Sequence, residues 1–184
     1  PAVLDKAPLP ASDPRTERIL RDYAILEGDP GAGHVRPALS GEFADVVKLA
    51  AILCGTPLAF VTFVGDAVQW IGAREGADLE STPRSDSFCA HAMGGRDMMV
   101  VADALEDPRF AGNPYVTGEP HIRFYAGVPL ISPEGIPLGA LCVLDSAPRA
   151  GLTENQAFGL RTLSAQVMER LESQRRAAWR TRLE

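Results

Sequence analysis

Two apolar runs in residues 124–149, FYAGVPLISPEGIPLGALCVLDSAPR, decide the fold class. The runs 124–131 and 138–145 are rich in aliphatic and aromatic residues, as strands are. Between them lies SPEG, a turn in which Gly135 can adopt a positive φ. A connection this short forces the two strands to pair antiparallel. The stretch therefore predicts a β-hairpin.

A second hairpin lies upstream. Residues 58–64 are apolar and rich in β-branched and aromatic side chains, and residues 68–73 resemble them after a turn at Gly65 and Asp66. Residues 98–102 predict one more short strand, whereas 75–84 and 103–120 have the polar and turn-forming composition of loops. The strand segments together indicate an antiparallel sheet.

Helix signals surround these strands. Asp13 followed by Pro14 predicts a helix start, with that helix running to about Leu26. Ser40 can cap a second helix that ends at Cys54, before Gly55. The loop between these two helices, residues 28–40, is rich in glycine and proline. The combination of helices with two hairpins predicts an α+β fold.

Two further helices follow. Ser85 or Ser87 can cap a short helix that Gly94 and Gly95 end. Thr153 with Gln156 is a capping-box signature, and apolar residues at helical spacing continue the helix to the end of the chain, about 48 Å at 1.5 Å per residue. The end of this helix is expected to project from the domain.

Composition narrows the function classes. The chain has 184 residues, enough for about one domain. A net charge of −6 disfavours general nucleic-acid binding, and the C-terminal arginines are interpreted as a solvated helix face. No apolar run approaches the roughly 20 residues that span a bilayer, and the N-terminal residues lack the apolar core of a signal peptide. The expectation is a soluble cytoplasmic protein without membrane or nucleic-acid partners.

The cysteines offer weak support for catalysis. Cys54, Cys89 and Cys142 are odd in number and widely spaced, which predicts reduced thiols. Cys89 and His91 point about 200° apart on a helix, so a histidine partner for Cys89 would have to be His121. A buried or pocket-lining thiol is favoured over a nucleophile, and no spacing indicates a metal site.

Aromatic, cationic and amide side chains are concentrated in residues 103–125, a composition typical of a pocket wall. An equally plain interpretation is that the aromatics close the open face of the sheet. Trp70 and Phe88 are expected to share an apolar space with Phe124. The candidate ligand-binding residues are Trp70, Phe88, Cys89, His91, Asp103, Arg109, Phe110, Tyr115, His121, Arg123, Phe124 and Tyr125.

The arginines in this segment have two possible roles. For an anionic ligand, Arg109 and Arg123 would be the donors, because a guanidinium offers a planar fork to a carboxylate or phosphate. Alternatively, Arg109 pairs with Asp107 or Asp103 and stabilises the loop.

Several longer stretches resemble one family. SFCAHA at 87–92, VVADALEDPRFAGNPYVTGEPHIRFYAGVPL at 100–130 and GIPLGALCVLDSAPR at 135–149 closely resemble the GAF domains of bacterial signalling proteins, and ERILRDYAIL near the start and residues 49–76 extend the likeness. It covers residues 15–172, leaving a flexible arm at 1–14 and a projecting helix end at 173–184. The resemblance implies a central antiparallel sheet of five or six strands. Terminal helices would lie on one face and a ligand pocket with short helices and loops on the other.

The resemblance also implies a function. Such domains sense small molecules upstream of histidine kinases, diguanylate cyclases or similar output modules, and no such module is visible in this chain. Pro120 stands where bilin-binding relatives have a cysteine before the histidine, and the cyclic-nucleotide signature of other members is not recognisable. The expectation is a non-enzymatic sensor with an unidentified ligand. The alternatives are a redox enzyme of the same fold, similar to free methionine sulfoxide reductases and using Cys89, or a dimerisation module without a pocket.

The last helix predicts an oligomer. Leu160, Leu163, Val167 and Leu171 form a stripe that the domain's own sheet can cover. Trp179 and Leu183 lie beyond it, and an isolated helical arm with exposed apolar groups is marginal in water. A parallel homodimer through the terminal helices is therefore expected.

Overall fold

A six-stranded antiparallel sheet forms the centre of the computed structural model, which describes residues 8–29 and 33–183. In chain order the strands are β1 (Leu26–Glu27), β2 (His34–Val35), β3 (Leu58–Val64), β4 (Val68–Glu75), β5 (Ser81–Pro83), β6 (Met99–Val101), β7 (Phe124–Ile131) and β8 (Pro137–Asp145). The helices are α1 (Thr16–Asp22), α2 (Leu39–Glu42), α3 (Ala44–Cys54), α4 (Phe88–Ala92), α5 (Pro114–Thr117) and α6 (Glu154–Leu183).

The main sheet has the strand order β5-β4-β3-β8-β7-β6. Both predicted hairpins are present, as β3 with β4 and β7 with β8, and Gly135 has φ 82° in the second turn. The α+β class and the expected five or six strands are confirmed. β5, β1 and β2 were not predicted, because strands of two or three residues leave too little pattern to read.

Each face of the sheet carries its own apolar cluster. On one face α1, α3 and α6 pack, as the resemblance implies, and they cover alternate residues of β7 such as Phe124 and Ala126. On the other face, α4, α5 and the loops around them cover Tyr125. We call these the helix face and the loop face.

The first helix differs from the prediction. Asp13 accepts a hydrogen bond from the Arg15 backbone N–H at 2.9 Å, but α1 begins only at Thr16. It ends at Asp22, not near Leu26, because Ala24 takes a positive φ of 55° and Leu26 pairs with Val35 in β1 and β2. The loop predicted at 28–40 thus contains β2, and its residues 30–32 lie outside the described part.

Two helix starts are confirmed and one is corrected. The Ser87 side chain accepts the Ala90 N–H at the start of α4. Thr153 and Gln156 form the predicted capping box, with reciprocal bonds of 2.9 and 3.1 Å, before α6. Ser40, in contrast, lies inside α2 and donates to the Pro37 carbonyl instead of capping.

The first described residues pack on the domain, whereas the C-terminal end of α6 extends beyond it. The predicted arm at 1–14 lies outside the described residues up to position 7; from there, Leu9 packs on the loop face and the Pro10 carbonyl accepts a bond from Arg84. In α6 the buried side chains end at Leu171, and Trp179 and Leu183 are exposed. The helix thus continues for about three turns beyond its last buried residue.

Candidate functional site

A cavity of about 340 Å³ lies on the loop face, between the sheet and the segments that cover it. Strands β3 and β4 form its wall, α4, β7 and β8 its floor, and α5 with the loops after β4 and α5 its rim. It is lined by Leu58, Phe60, Thr62, Gln69, Ile71, Ala77, Asp78, Leu79, Thr82, Asp86, Phe88, Cys89, Tyr115, Glu119, Pro120, Ile122, Tyr125, Cys142 and Leu144. Its size is in the range of small-molecule sites.

The lining is apolar inside and acidic at the rim. Buried residues such as Phe60, Ile71 and Leu144 supply the inner surface. Asp78 and Glu119, both exposed, stand at the mouth. Within the described part of the chain, the lining includes no arginine, lysine or histidine. The site therefore suits a ligand with an apolar body and without negative charge.

One buried polar network crosses the wall. Gln69 donates to the Thr82 hydroxyl at 3.0 Å and accepts a hydrogen bond from the Ser87 hydroxyl. The same Ser87 caps α4, so the network connects β4, β5 and the start of that helix. Asn113 adds a second connection, since its amide donates to the Asp86 carbonyl and its oxygen accepts the Tyr115 N–H. These bonds hold α4 and α5 over the cavity.

A pair of thiols lies at the floor. The Cys89 sulfur on α4 is 3.8 Å from the Cys142 sulfur on β8, and the Tyr125 hydroxyl lies 3.2 Å from the Cys89 sulfur. A side chain at Gly127 would meet the Tyr125 hydroxyl, with its Cβ only 2.1 Å away. The glycine therefore leaves the room that the Tyr125 ring needs to reach Cys89.

The two thiols differ in acidity. Burial opposes the Cys89 thiolate, but hydrogen bonds with Cys142, Thr62 and Tyr125 outweigh it and hold the Cys89 pKa below its usual value. Burial and the neighbouring Cys89 raise the pKa of Cys142 well above its usual value. The pKa of Tyr125 is also raised, first by burial, so its hydroxyl keeps its proton and can donate it in a hydrogen bond. Cys89 is therefore the more acidic thiol.

Four of the predicted site residues line the cavity, namely Phe88, Cys89, Tyr115 and Tyr125. Phe110 lies behind the lining, stacked on Phe88 with ring centroids 4.2 Å apart. His91 is behind it as well, edge-on to Phe110 at 4.9 Å. These two support the wall without facing the cavity.

The expectation that Trp70 and Phe124 share this space with Phe88 is wrong. Both belong to the apolar cluster of the helix face, and the Trp70 indole N–H donates to the Gly33 carbonyl at 3.1 Å. Side chains alternate along a strand, so Gln69 and Ile71 face the cavity and Trp70 does not. For the same reason Phe124 and Tyr125 cannot both line it.

The two candidate arginines do not line the cavity either. Arg109 pairs with Asp107 at 2.7 Å, which is the loop-stabilising role given above as its alternative, and Arg123 pairs with Asp103 at 2.6 Å. Each pair stabilises the covering loop. His121 is exposed and lies 3.6 Å from Glu119. The predicted anion donors are thus occupied by carboxylates of the chain itself.

The sequence reasoning missed most of the strand residues that line the cavity. Leu58, Phe60 and Thr62 alternate along β3, and Cys142 with Leu144 alternate along β8. This alternation is the one sequence signal that could have identified these residues, provided that Tyr125 had been used to decide which face of the sheet lines the cavity. Cys142, for which the sequence predicts only a reduced thiol, is buried and also touches the cavity.

Metal-binding and membrane-spanning features are absent from the described residues. No group of three or more histidine, cysteine or acidic side chains there could hold a metal ion. No helix in the described ranges is both long and apolar enough to cross a membrane.

Comparison with known proteins identifies the family. The family model for the GAF domain matches residues 39–171 of this chain. The chain belongs to the GAF domain family. A cyclic di-GMP phosphodiesterase of Pseudomonas aeruginosa is 45% identical over 133 residues, which cover 72% of this chain and 23% of that protein. The GAF domain described here thus corresponds to about a quarter of that relative.

Solved structures show the same fold at low identity. The GAF domain of a phosphoenolpyruvate-protein phosphotransferase from Coxiella burnetii has a TM-score of 0.63 and 16% identity, covering 78% of this chain and 88% of its own. The free methionine-R-sulfoxide reductase of Neisseria meningitidis, in complex with its substrate, has a TM-score of 0.61 and 19% identity, covering 92% and 97%. Both likenesses show that this chain has the same fold as these two proteins.

Proposed function

We propose that this GAF domain is the sensory input module of a bacterial signalling protein and binds a neutral or cationic small molecule. The observation that carries the proposal is the cavity of about 340 Å³ with an apolar interior. An open cavity in an otherwise well-packed domain also argues against a dimerisation module without a pocket.

The charge of the rim narrows the ligand class. Glu119 and Asp78, the latter in an exposed ion pair with Arg74 at 3.3 Å, place carboxylates and no lining cation at the mouth, which disfavours an anion there. Arg109 and Arg123 are already paired with aspartates. Cyclic nucleotides and dinucleotides carry phosphate and are poor candidates for this cavity. The relation to a cyclic di-GMP phosphodiesterase supports a role in the same kind of signalling, without making its substrate the ligand of this domain.

The sheet offers a direct route from the cavity to α6. Tyr125 faces the cavity, and its neighbours Phe124 and Ala126 belong to the apolar cluster on the helix face. α6 packs on β7 and β8 from that face. A ligand that shifts these strands would therefore shift α6, which we propose relays the signal in the cytoplasm.

The test uses a neutral fluorescent probe of apolar cavities, N-phenyl-1-naphthylamine. Saturable binding is expected to wild-type protein and is expected to disappear in Ile71→Trp, which fills the cavity. Val100→Trp is the matched control, because Val100 is 41% exposed and does not line the cavity. The anionic analogue 1-anilinonaphthalene-8-sulfonate is expected to bind less tightly at the same site. Equal binding by Ile71→Trp, or tighter binding of the anion, would contradict the proposal.

A second candidate function, a thiol redox enzyme, is supported by the position of Cys89 in the cavity lining. Turnover of free methionine sulfoxide with a dithiol reductant, abolished by Cys89→Ser, would favour it. Ligand binding unchanged in Cys89→Ser without such turnover would favour the sensor.

We also propose that the domain pairs with a second copy through its terminal helices. Trp179 is 59% and Leu183 is 85% exposed on the part of α6 that extends beyond the buried stripe. A partner helix would cover this apolar surface, and a parallel pair would bring two outputs together.

A further inference from the structure

Cys89 and Cys142 are 53 residues apart in sequence, yet their sulfurs are in contact at 3.8 Å. A disulfide bond is about 2.05 Å long, so closing it requires the sulfurs to move together by about 1.8 Å. Both thiols are free, buried and part of the cavity lining. A small reagent that enters the cavity can therefore reach a dithiol that bulk solvent does not.

We propose that Cys89 and Cys142 form a peroxide-reactive site that closes to an intramolecular disulfide at the cavity floor. The substrate class is a small hydroperoxide. This modification is independent of the sensory function, since it requires access to the cavity but no other ligand.

The reaction proceeds in two balanced steps. The Cys89 thiolate attacks one peroxide oxygen, a sulfur–oxygen bond forms, the oxygen–oxygen bond breaks, and the leaving alkoxide or hydroxide takes up a proton to give alcohol or water. The Cys142 sulfur then attacks the Cys89 sulfenic acid, and the oxygen leaves as water with the Cys142 proton. Two thiols lose two electrons in total, and the hydroperoxide gains them.

The neighbours of the sulfurs assign the order of attack. Tyr125 lies within hydrogen-bond distance of the Cys89 sulfur, at 3.2 Å, and can stabilise a thiolate there. Cys142 sits on β8 between β3 and β7, with Cys89 as its thiol neighbour. Cys89 is accordingly the attacking sulfur and Cys142 the resolving one.

Cys54 is an internal control. It is buried in the helix-face cluster, away from the cavity, and burial raises its pKa to about 11. Although it is as buried as the pair, it has neither a thiol neighbour among the bonds described nor access through the cavity.

The experiment treats the reduced full chain with hydrogen peroxide and maps the products by mass spectrometry without reduction. The expected product has lost the mass of two hydrogen atoms and contains a Cys89–Cys142 linked peptide, with Cys54 still free. Cys54→Ala should behave like wild type, and Cys142→Ala should accumulate a dimedone-reactive sulfenic acid at Cys89. Oxidation without the linked peptide, or an unreactive dithiol, would overturn the proposal.

Tyr125→Phe tests the attacking sulfur without removing a thiol. Loss of one hydrogen bond to a charged sulfur should slow disulfide formation about tenfold at neutral pH. An unchanged rate in a folded Tyr125→Phe protein would overturn the assignment of Cys89. Because probe binding is measured separately, failure of this reaction leaves the sensory proposal standing.

Discussion

Aromatic contacts, as well as hydrogen bonds, hold individual residues around the cavity. Phe88 stacks on Phe110 at 4.2 Å and on Tyr125 at 5.2 Å, and His91 meets the edge of Phe110. The rings connect α4 and the covering loop to β7. Burial lowers the pKa of His91, and the nearby positive charge of Arg109 lowers it further. His91 is thus neutral where it supports the wall.

The lowered pKa of His91 predicts a loss of stability in mild acid. Its folded pKa lies below the unfolded value, so the stabilisation is complete above the unfolded pKa of about 6.5 and declines as the pH falls toward the folded value. His91→Asn cannot titrate. The wild-type advantage in free energy of unfolding over this variant should shrink between about pH 7.5 and about pH 5. Urea unfolding at each pH measures it, and an advantage that stays constant would contradict the prediction.

At the scale of elements, β3 and β8 lie so close together at Gly139 that no side chain fits there. Gly139 on β8 pairs with Phe63 on β3. A Cβ there would stand 1.8 Å from the Thr62 carbonyl oxygen, which is backbone and cannot rotate away. The sheet centre, which separates the cavity from the helix layer, thus depends on a glycine.

Gly139→Ala should therefore lower the free energy of unfolding by about 3 kcal/mol, because β3 and β8 must separate to admit the methyl group. Gly41→Ala is the matched control. Gly41 lies in α2, and an alanine Cβ at that position would meet no atom within 4 Å, so the substitution should change stability by less than about 1 kcal/mol and favourably. Chemical denaturation of both variants measures the difference, and similar values for the two would refute the steric argument.

At the scale of the whole molecule, the two faces of the sheet differ in what covers them. The loop face encloses a cavity whose lining comes from strands, short helices and loops. The helix face is packed by α1, α3 and α6, and α6 extends beyond it. Leu49 and Ile52 on α3 and Phe158 on α6 add exposed apolar surface to this side. Association with a second copy is therefore expected on the helix side.

Trp179→Glu tests that expectation. If the end of α6 pairs with its copy, a charge in place of the exposed Trp179 ring would lie in the helix contact and should raise the dimer dissociation constant at least about tenfold. Thr181→Glu is the control, since two residues along a helix it points about 200° away. Light scattering at several concentrations measures both. A wild-type chain that stays monomeric throughout the micromolar range would rule the dimer out.

The sequence by itself determined the two hairpins, the long final helix and the family. These features rest on local chemistry: apolar runs with short turns, the Thr153–Gln156 capping box, and motifs that lie within a few dozen residues. Local chemistry also located the covering segment at 103–125 and four of the cavity residues. Features of this kind can be predicted from a single sequence because residues that are close together in the chain determine them.

Only the tertiary structure decided which strand face lines the cavity and which charges remain free. β4, which carries Trp70, and β7, which carries Phe124, are buried along most of their length, so both of their faces are apolar and the alternation could not be assigned to a side. This ambiguity put Trp70 and Phe124 in the wrong layer. Asp103 lies 20 residues from Arg123 and pairs with it only in the folded chain. The sequence therefore leaves Arg123 without an evident partner and predicts it as a ligand donor. The contact between Cys89 and Cys142 depends on α4 docking on β8, a long-range packing event that no local pattern encodes.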